Sequence, residues 1–230
     1  MGILKAVAFD LDGTLYPNYR LYMRIIPQFL LHPFFFGAFF RVRRILHSLQ
    51  YDDSDKIPSF YDKQASLLAE LLGKDTEKTR LKTEVLVYGG LEKLFSGIKL
   101  FPYLKETLVS FQKAGLRLAV LSDFPPVQKL AILGLDGFFD VVLSSEETGA
   151  LKPSGIPFAE LIRKLALAPE EILYVGNSMH FDVEGSKSAG LKSAQIKRGT
   201  LSTGRVSGKS TDKADFVFRD YRQLQEYVLK

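Results

Sequence analysis

The sequence predicts an α/β protein with a doubly wound, mostly parallel sheet and an inserted helical domain. Three observations support this fold class. Short apolar runs alternate with segments whose apolar residues recur at helical spacing. Such alternation favours a parallel sheet with helices on both faces. The stretch 17–100 interrupts this alternation and contains no convincing strand, whereas polar clusters follow the strands of the remaining chain.

The core elements are short, as expected for strands and helices of a parallel sheet. They are strands 3–9, 116–122, 140–145, 171–176, 193–197 and 215–218, and helices 103–114, 126–133, 156–167, 182–189 and 220–229.

The interrupting stretch contains two segments with amphipathic helical spacing, 60–73 and 75–89. An insertion of this size after the first strand predicts a second, helical domain above the sheet edge. We therefore expect a core domain over 1–16 and 101–230, and a helical cap domain over 17–100.

The composition restricts the partners and the compartment. The chain has 230 residues, a formal net charge of +5 and no cysteine. This mild basic balance favours a small anionic partner such as a phosphorylated metabolite, and does not indicate nucleic acid. The absence of cysteine fits a reducing compartment and excludes disulfides. Because Asp10 and Asp12 interrupt any apolar leader, we expect no signal peptide and a cytoplasmic location.

The first strand leads into "KAVAFDLDGTLYP", where two carboxylates stand two positions apart. Other polar clusters also follow strands, and ligands of parallel sheets bind at the carboxyl ends of the strands. We therefore expect one site at this edge. Each cluster alone is also typical of turns or solvated surfaces. The clusters are Asp10 with Asp12, Ser122 with Asp123, Lys152, and Asn177 to Asp182.

These residue types can support phosphoryl transfer. Asp10 can attack phosphorus to give an aspartyl phosphate, which divides one displacement into two easier ones. Mg²⁺ can neutralise the phosphate oxygens that repel this attack. Asp12 can protonate the leaving alcohol and later accept a proton from water. Lys152 and Ser122 can bind oxygens of the transferring group.

The order of the motifs resembles the haloacid dehalogenase superfamily of phosphatases. The four motifs appear as "DLDGT", "AVLSD", "GALKPSGIPF" and "GNSMHFD". The resemblance implies a Rossmann-like core, a first-type cap in place of the insert, and hydrolysis of a small phosphate monoester. It also implies that Asp10 is the phosphorylated nucleophile and Asp12 the acid/base, with Lys152 completing the catalytic set.

The resemblance further implies the binding residues. Thr14 would orient the loop beside the substrate, and Ser122, Asp123 and Lys152 would contact the phosphate. Mg²⁺ would be held by a set comprising Asp10, Asp12 through its carbonyl, Asn177 and Asp182.

Asn177 departs from the family pattern, which has an aspartate at this position. The amide oxygen can ligate a metal but brings no charge, so we expect weakened Mg²⁺ binding. Two alternatives therefore stay open: another enzyme of the superfamily, such as a phosphomutase or a dehalogenase, or a catalytically weakened binding or membrane-associated protein. The presence of Asp12 favours phosphate transfer over dehalogenation, because the dehalogenases generally lack this second aspartate.

The segment 25–46 is rich in phenylalanine, and from Tyr16 to Tyr51 there are five arginines and no acid. Its uncharged part is shorter than the roughly 20 residues of a spanning helix, and Pro27 and Pro33 are expected to interrupt it. The favoured interpretation is a cap that buries these aromatic rings, with arginine facing the anionic site. Contact with a membrane surface or a second copy is the alternative.

The histidines do not suggest a catalytic group. His180 lies within the fourth motif, where a surface or loop role is expected, and His32 and His47 have no partner pattern in the sequence. The sequence does not indicate an oligomeric state.

Overall fold

A computed structural model describes residues 4–49, 59–197 and 214–230. Within these residues, six strands form one parallel sheet in the order β3-β2-β1-β4-β5-β6. The predicted doubly wound fold is confirmed, and residue 3 of the predicted first strand lies outside the described residues. The strands are β1 Ala6–Phe9, β2 Arg117–Ser122, β3 Val141–Ser144, β4 Ile172–Gly176, β5 Lys192–Ile196 and β6 Phe216–Phe218.

The helices lie between and beside these strands. They are α1 Tyr19–Leu31, α2 Pro33–Ser48, α3 Phe60–Leu72, α4 Thr76–Thr83, α5 Leu91–Phe95, α6 Leu104–Lys113, α7 Val127–Ile132, α8 Gly155–Leu165, α9 Gly185–Ser188 and α10 Tyr221–Val228.

Two of the predicted helices are less regular than expected. The predicted helix 75–89 ends as an α-helix at Thr83 and continues as a π-helical turn over Glu84–Tyr88. The predicted helix 182–189 begins inside a second π-helical turn, Met179–Glu184, and is α-helical only in α9. This second turn carries the polar residues of the fourth motif, where irregular backbone is common at functional sites.

The sheet has an apolar core on each face. On one face, Val7, Phe9 and their neighbours pack with residues of α6, α7 and α10. On the other face, Ala6, Ala8 and Tyr174 pack with residues of α8. Side chains of a strand point alternately to opposite faces, which explains why neighbours in β1 belong to different cores. Burial on both faces also explains the continuous apolar strands.

The strand order brings three loops together. β1 lies between β2 and β4 and pairs with both in parallel, with Phe9 opposite Val120 and Val175. The residues that follow these strands therefore leave the sheet at the same edge. This edge carries the first, second and fourth motifs.

The residues between β1 and α6 form a helical insert, which comprises α1 to α5. A third apolar cluster holds α2 and α3 together through Phe35, Phe36, Phe39 and Leu68, and Leu151 of the core belongs to the same cluster. The insert thus packs directly beside the third motif. This burial of aromatic rings agrees with the favoured interpretation for part of the segment 25–46.

The two prolines of that segment behave differently. Pro33 begins α2, where its missing N–H costs nothing, so it separates two helices as predicted. Pro27 lies inside α1, so the prediction that it interrupts the helix is wrong. Its position on an exposed helix leaves the freed carbonyl accessible to water, which reduces the cost. Within the described residues, no helix combines the length and apolar character needed to cross a membrane.

Candidate active site

Asp10 occupies the centre of the edge and is nearly buried, with 6% of its surface exposed. Its Oδ1 accepts a hydrogen bond from Lys152 Nζ at 2.8 Å, and its Oδ2 accepts one from Thr14 Oγ1 at 2.9 Å. Burial raises the pKa of Asp10 from 3.8 to about 7, against the opposing charge of Lys152. A carboxylate that burial makes costly to ionise, with its oxygens oriented by two donors, is a candidate nucleophile.

Lys152 lies between two acids. Its Nζ donates to Asp10, to Asp182 Oδ1 at 2.7 Å and to the hydroxyl of Tyr174 at 3.1 Å. Burial disfavours its charge, but the two carboxylates outweigh this effect and hold the pKa of Lys152 well above its usual value. The lysine therefore remains a cation in the interior. One cation between two carboxylates leaves the cluster short of positive charge.

Asp12 contacts a different set of side chains and is more exposed than Asp10. Its carboxylate accepts hydrogen bonds from Lys129 Nζ at 2.7 and 3.0 Å and from the Tyr16 hydroxyl. Burial, together with the Asp12 charge, raises the pKa of Tyr16, which therefore stays a neutral donor. Lys129 projects from α7, where its ammonium also lies 5.4 and 5.2 Å from the ring centroids of Phe95 and Phe124. Asp12 is thus held rigidly, close to solvent.

The end of β2 provides polar groups for an anion. Ser122 is fully buried, yet its hydroxyl has no hydrogen-bond partner among the described residues. A buried hydroxyl without a partner carries a free-energy cost that a bound oxyanion would remove. The next residue, Asp123, accepts a bond from the Lys152 N–H at 3.2 Å, so its carboxylate is engaged within the protein. The backbone of this turn remains close to Ser122.

The fourth motif closes the edge opposite β2. Asp182 Oδ2 accepts hydrogen bonds from the N–H groups of Asn177 and Ser178, at 3.0 and 2.9 Å. A Cβ at Gly176 would collide with the Asp182 side chain, so glycine is needed for this approach. The side chain of Asn177 lies against Gly13, where a Cβ would likewise collide with its amide. Asn177 thus contacts the loop between Asp12 and Thr14.

These residues supply only oxygen donors to a metal. No three acidic or histidine side chains converge on a common point anywhere in the described parts of the chain. A mixed set remains: the Asp10 carboxylate, the Asp12 carbonyl, which accepts a bond from Asn18 at 3.2 Å, and the amide of Asn177. Hard oxygen donors of this type fit Mg²⁺ with several retained waters. Asp182 differs from Asp10, because its Oδ2 accepts hydrogen bonds from two backbone N–H groups and so fixes the loop that carries Asn177.

The helical insert reaches this edge with a buried ion pair. Arg43 of α2 pairs with Glu146, which follows β3, and its guanidinium lies 4.2 Å from the ring centroid of Phe124. The Tyr88 hydroxyl donates to Glu146 at about 3.1 Å. Burial nevertheless raises the pKa of Glu146. The expectation that arginine of this segment faces the anionic site therefore does not hold for Arg43, which is bound to a glutamate of the core.

His47 is a second contact from the insert. Its Nδ1 lies 2.6 Å from the Lys152 carbonyl, which assigns the Nδ1 proton to this hydrogen bond, and its ring lies 4.5 Å from that of Phe181. Burial lowers the pKa of His47, so the ring is neutral near pH 7. The structural role predicted for His47 is consistent with these contacts, although they lie at the edge of the site. His180 is exposed and pairs with Glu184 at 2.7 Å, in agreement with its predicted surface role.

A cavity of about 450 Å³ lies on the insert side of this edge. Its walls include Tyr61, Gln64 and Tyr88 from the insert and Pro125 from the turn after β2. Asp10 and Asp12 do not line it. The cavity therefore adjoins the second motif but is separate from the cluster around Asp10.

Sequence reasoning missed Lys129, Tyr16 and Tyr174. A signal existed for Tyr174, because a tyrosine in a fully buried strand needs a partner for its hydroxyl. Lys129 lies on the helix that starts at the active edge, but its burial depends on contacts with Phe124 and with the ring of Phe95, which is distant in the sequence. No local pattern distinguishes it from a surface lysine.

A parallel sheet with a buried carboxylate, a lysine and a hydroxyl at its carboxyl edge is an arrangement suited to an enzyme that acts on an anionic substrate. The model of the haloacid dehalogenase-like hydrolases matches residues 4–190. The chain is 30% identical to a glyceraldehyde 3-phosphate phosphatase of Methanopyrus kandleri, over 98% of this chain and 97% of that one. It is 27% identical to a phosphoglycolate phosphatase of Haemophilus influenzae, over 96% of both.

A solved structure has the same fold. The 2-haloacid dehalogenase of Pseudomonas syringae pv. Tomato superposes with a TM-score of 0.66 at 23% identity, over 99% of this chain and 98% of that one. The chain belongs to the haloacid dehalogenase-like hydrolases.

Proposed function

We propose that this protein is a Mg²⁺-dependent phosphatase that hydrolyses a small phosphate monoester through an aspartyl phosphate on Asp10. The observation that carries this proposal is the buried Asp10, whose oxygens face Lys152 Nζ at 2.8 Å and Thr14 Oγ1 at 2.9 Å. The phosphatase names of the two relatives support the same class of hydrolase.

In the first step, an oxygen of ionised Asp10 attacks phosphorus while the bond to the leaving alcohol breaks. Asp12 gives its proton to the alcohol oxygen. In the second step, water attacks phosphorus, Asp12 takes a proton from that water, and the bond between Asp10 and phosphorus breaks. Tyr16 and Lys129 hold the Asp12 carboxylate in one orientation for both proton transfers.

The transferring group needs donors that are fixed before the reaction. The unpartnered hydroxyl of Ser122, a backbone N–H of the turn at Asp123 and the ammonium of Lys152 are suited to bind its oxygens. Thr14 orients the Asp10 carboxylate through its hydrogen bond to Oδ2. These donors lie in a buried region, where hydrogen bonds to charge are stronger than in water.

Mg²⁺, when bound, would offset the negative charge shared by the phosphate and the nucleophile. Asp10, the Asp12 carbonyl and Asn177 would hold it, with Asp182 fixing the loop that carries Asn177. The same charge would favour ionised Asp10 at neutral pH. The neutral amide at Asn177 predicts weaker Mg²⁺ binding than an aspartate would give, and Asn177→Asp should strengthen it about tenfold.

We assign the helical insert, with the boundaries 17–100, the role of a cap that excludes water and selects the leaving group. The insert contacts the third motif through His47 and Leu151. A small phosphorylated sugar or a related acid is the favoured substrate class, because the relatives are named for glyceraldehyde 3-phosphate and phosphoglycolate.

The test is phosphate release from a panel of monoesters that contains these two compounds, with and without Mg²⁺. Wild type should release phosphate only with the metal, Asp10→Asn should be inactive, and exposed Asp136→Asn should match wild type. A 2-haloacid in the same panel should yield no halide. Halide release, or phosphate release that persists in Asp10→Asn, would refute the proposal.

A further inference from the structure

The outer surface of helix α1 is apolar although it faces solvent. Side chains at positions 19, 23, 26 and 30 recur at intervals of three and four, which places them on one face of a helix, and Leu31 follows at the end of this helix. All of them are exposed, and Leu30 and Leu31 expose 76% and 74% of their surface. An ordinary surface helix turns such a stripe toward the core. In α1 the opposite side packs inward through Leu21 and Phe29.

The apolar surface continues into α2. Phe34, which follows the turn between the two helices, is 87% exposed. Nine of the seventeen large apolar side chains exposed in the described parts of the chain lie between positions 19 and 45. Scattered exposed apolar residues are normal, but a contiguous group of this kind marks an interaction surface.

The charge on this surface has one sign. From Tyr16 to Tyr51 the sequence has no aspartate, glutamate or lysine, and five arginines. Arg43 is buried against Glu146. Arg41 and Arg44 are exposed on α2, and Arg41 follows Phe34 by seven residues, which places both on the same helix face. Exposed apolar side chains and exposed arginines therefore occur together on α1 and α2, in a part of the sequence that has no acidic residue.

From this combination we propose that α1 and the start of α2 form a docking surface for an anionic lipid bilayer. Apolar side chains would enter the acyl boundary while the arginines contact the negatively charged headgroups. A second copy of the chain fits this surface less well, because a two-fold contact would bring patches of the same positive charge together. This inference goes beyond the proposed phosphatase activity and does not depend on it.

The test is sedimentation of the full chain with vesicles of phosphatidylcholine, with or without about 30% phosphatidylglycerol. Wild type should bind the anionic vesicles at least about tenfold more strongly than the neutral ones, and salt should weaken the binding. The double variant Leu30→Glu, Leu31→Glu should lose about tenfold or more of the affinity, because it places two charges in the acyl boundary. Arg41→Glu with Arg44→Glu should lose binding to the anionic vesicles.

Val217→Glu is the matched control, since Val217 is 47% exposed on the edge strand β6 of the core. It should bind vesicles as wild type does, and circular dichroism should show all variants folded. Wild type that stays in the supernatant with anionic vesicles would overturn the proposal. Equal binding by the leucine variant, or a wild-type dimer in light scattering that this variant converts to monomer, would also overturn it.

Discussion

The two acids of the first loop stand two residues apart in very different surroundings. The Asp10 side chain is enclosed by Lys152 and Thr14 and is 8% exposed, whereas the Asp12 side chain is 25% exposed and faces Lys129. Each acid thus has its own lysine, but only the Asp10 lysine is shared with a second carboxylate, Asp182.

This difference in burial and in hydrogen-bond partners shows how one short loop can hold two carboxylates suited to distinct roles. Desolvation raises the pKa of Asp10 to about 7, so its ionised form is high in free energy and reactive once a cation compensates it. Asp12 has access to water and a pair of donors that fix its direction. Similar residues in unlike environments are the usual arrangement for a nucleophile and an acid/base.

The largest effect is expected from Lys152→Met, which removes the cation between Asp10 and Asp182. Two buried carboxylates would then lack a counter-charge, so the free energy of unfolding should fall by about 3–5 kcal/mol. The rate constant kcat should fall roughly a thousandfold. Denaturant unfolding and steady-state kinetics measure both. Exposed Lys164→Met is the control, and a Lys152→Met protein as stable as this control would contradict the ion triad.

Lys129→Met tests the surroundings of Asp12, and its effects on stability and kcat should be smaller than those of Lys152→Met. Water can replace the lysine at the partly exposed Asp12, so we expect a loss of only about 1 kcal/mol in stability. Because Asp12 is the proposed acid/base, loss of its orientation should lower kcat roughly a hundredfold and alter the shape of the pH profile of kcat. If the stability loss equals that of Lys152→Met, the contrast between the two acids is wrong.

The stability of the metal-free protein should depend on pH, because the pKa of Asp10 is raised. Native Asp10 binds a proton up to a pH of about 7 and unfolded Asp10 only up to 3.8, so stability is lost as the pH rises through this window. Asp10→Asn removes this dependence. The free energy of unfolding of Asp10→Asn, relative to that of wild type, should increase by about 2.5 kcal/mol between about pH 5 and about pH 8 in the presence of a chelator. Asp136→Asn should show no such trend, and a constant difference for Asp10→Asn would exclude the shift.

The smallest effect is expected from Ser122→Ala. Its buried hydroxyl lacks a protein partner, so its removal should change the free energy of unfolding by less than about 0.5 kcal/mol. Loss of one donor to the transferring group should still lower kcat/KM about tenfold. A substantially destabilised variant would mean that the hydroxyl serves the fold and not the substrate.

The core could be predicted from the sequence because the patterns that mark its strands lie within short segments of the chain. Each strand is a continuous apolar run, and parallel topology alone brings Asp10, Ser122 and Asn177 to one edge. Lys129 and Glu146 could not be predicted, because their partners lie 117 and 103 residues away in the chain.

The burial of side chains in the insert was harder to predict from the sequence, for a different physical reason. Its apolar residues exceed what its own small core can bury, so composition alone does not tell which rings are internal. Phe35, Phe36 and Phe39 are buried, whereas Phe34 next to them is almost fully exposed. Helix phase decides between them, and the position of Pro33 at the start of α2 sets that phase.

The most direct measurement of the central claim is capture of the covalent intermediate. Wild type would be mixed with Mg²⁺ and a ³²P-labelled monoester, quenched in acid within milliseconds and mapped by mass spectrometry. The account predicts one acid-stable, hydroxylamine-sensitive label on Asp10, which is absent in Asp10→Asn. Rapid substrate turnover with no label on Asp10, or a label on another residue, would contradict it.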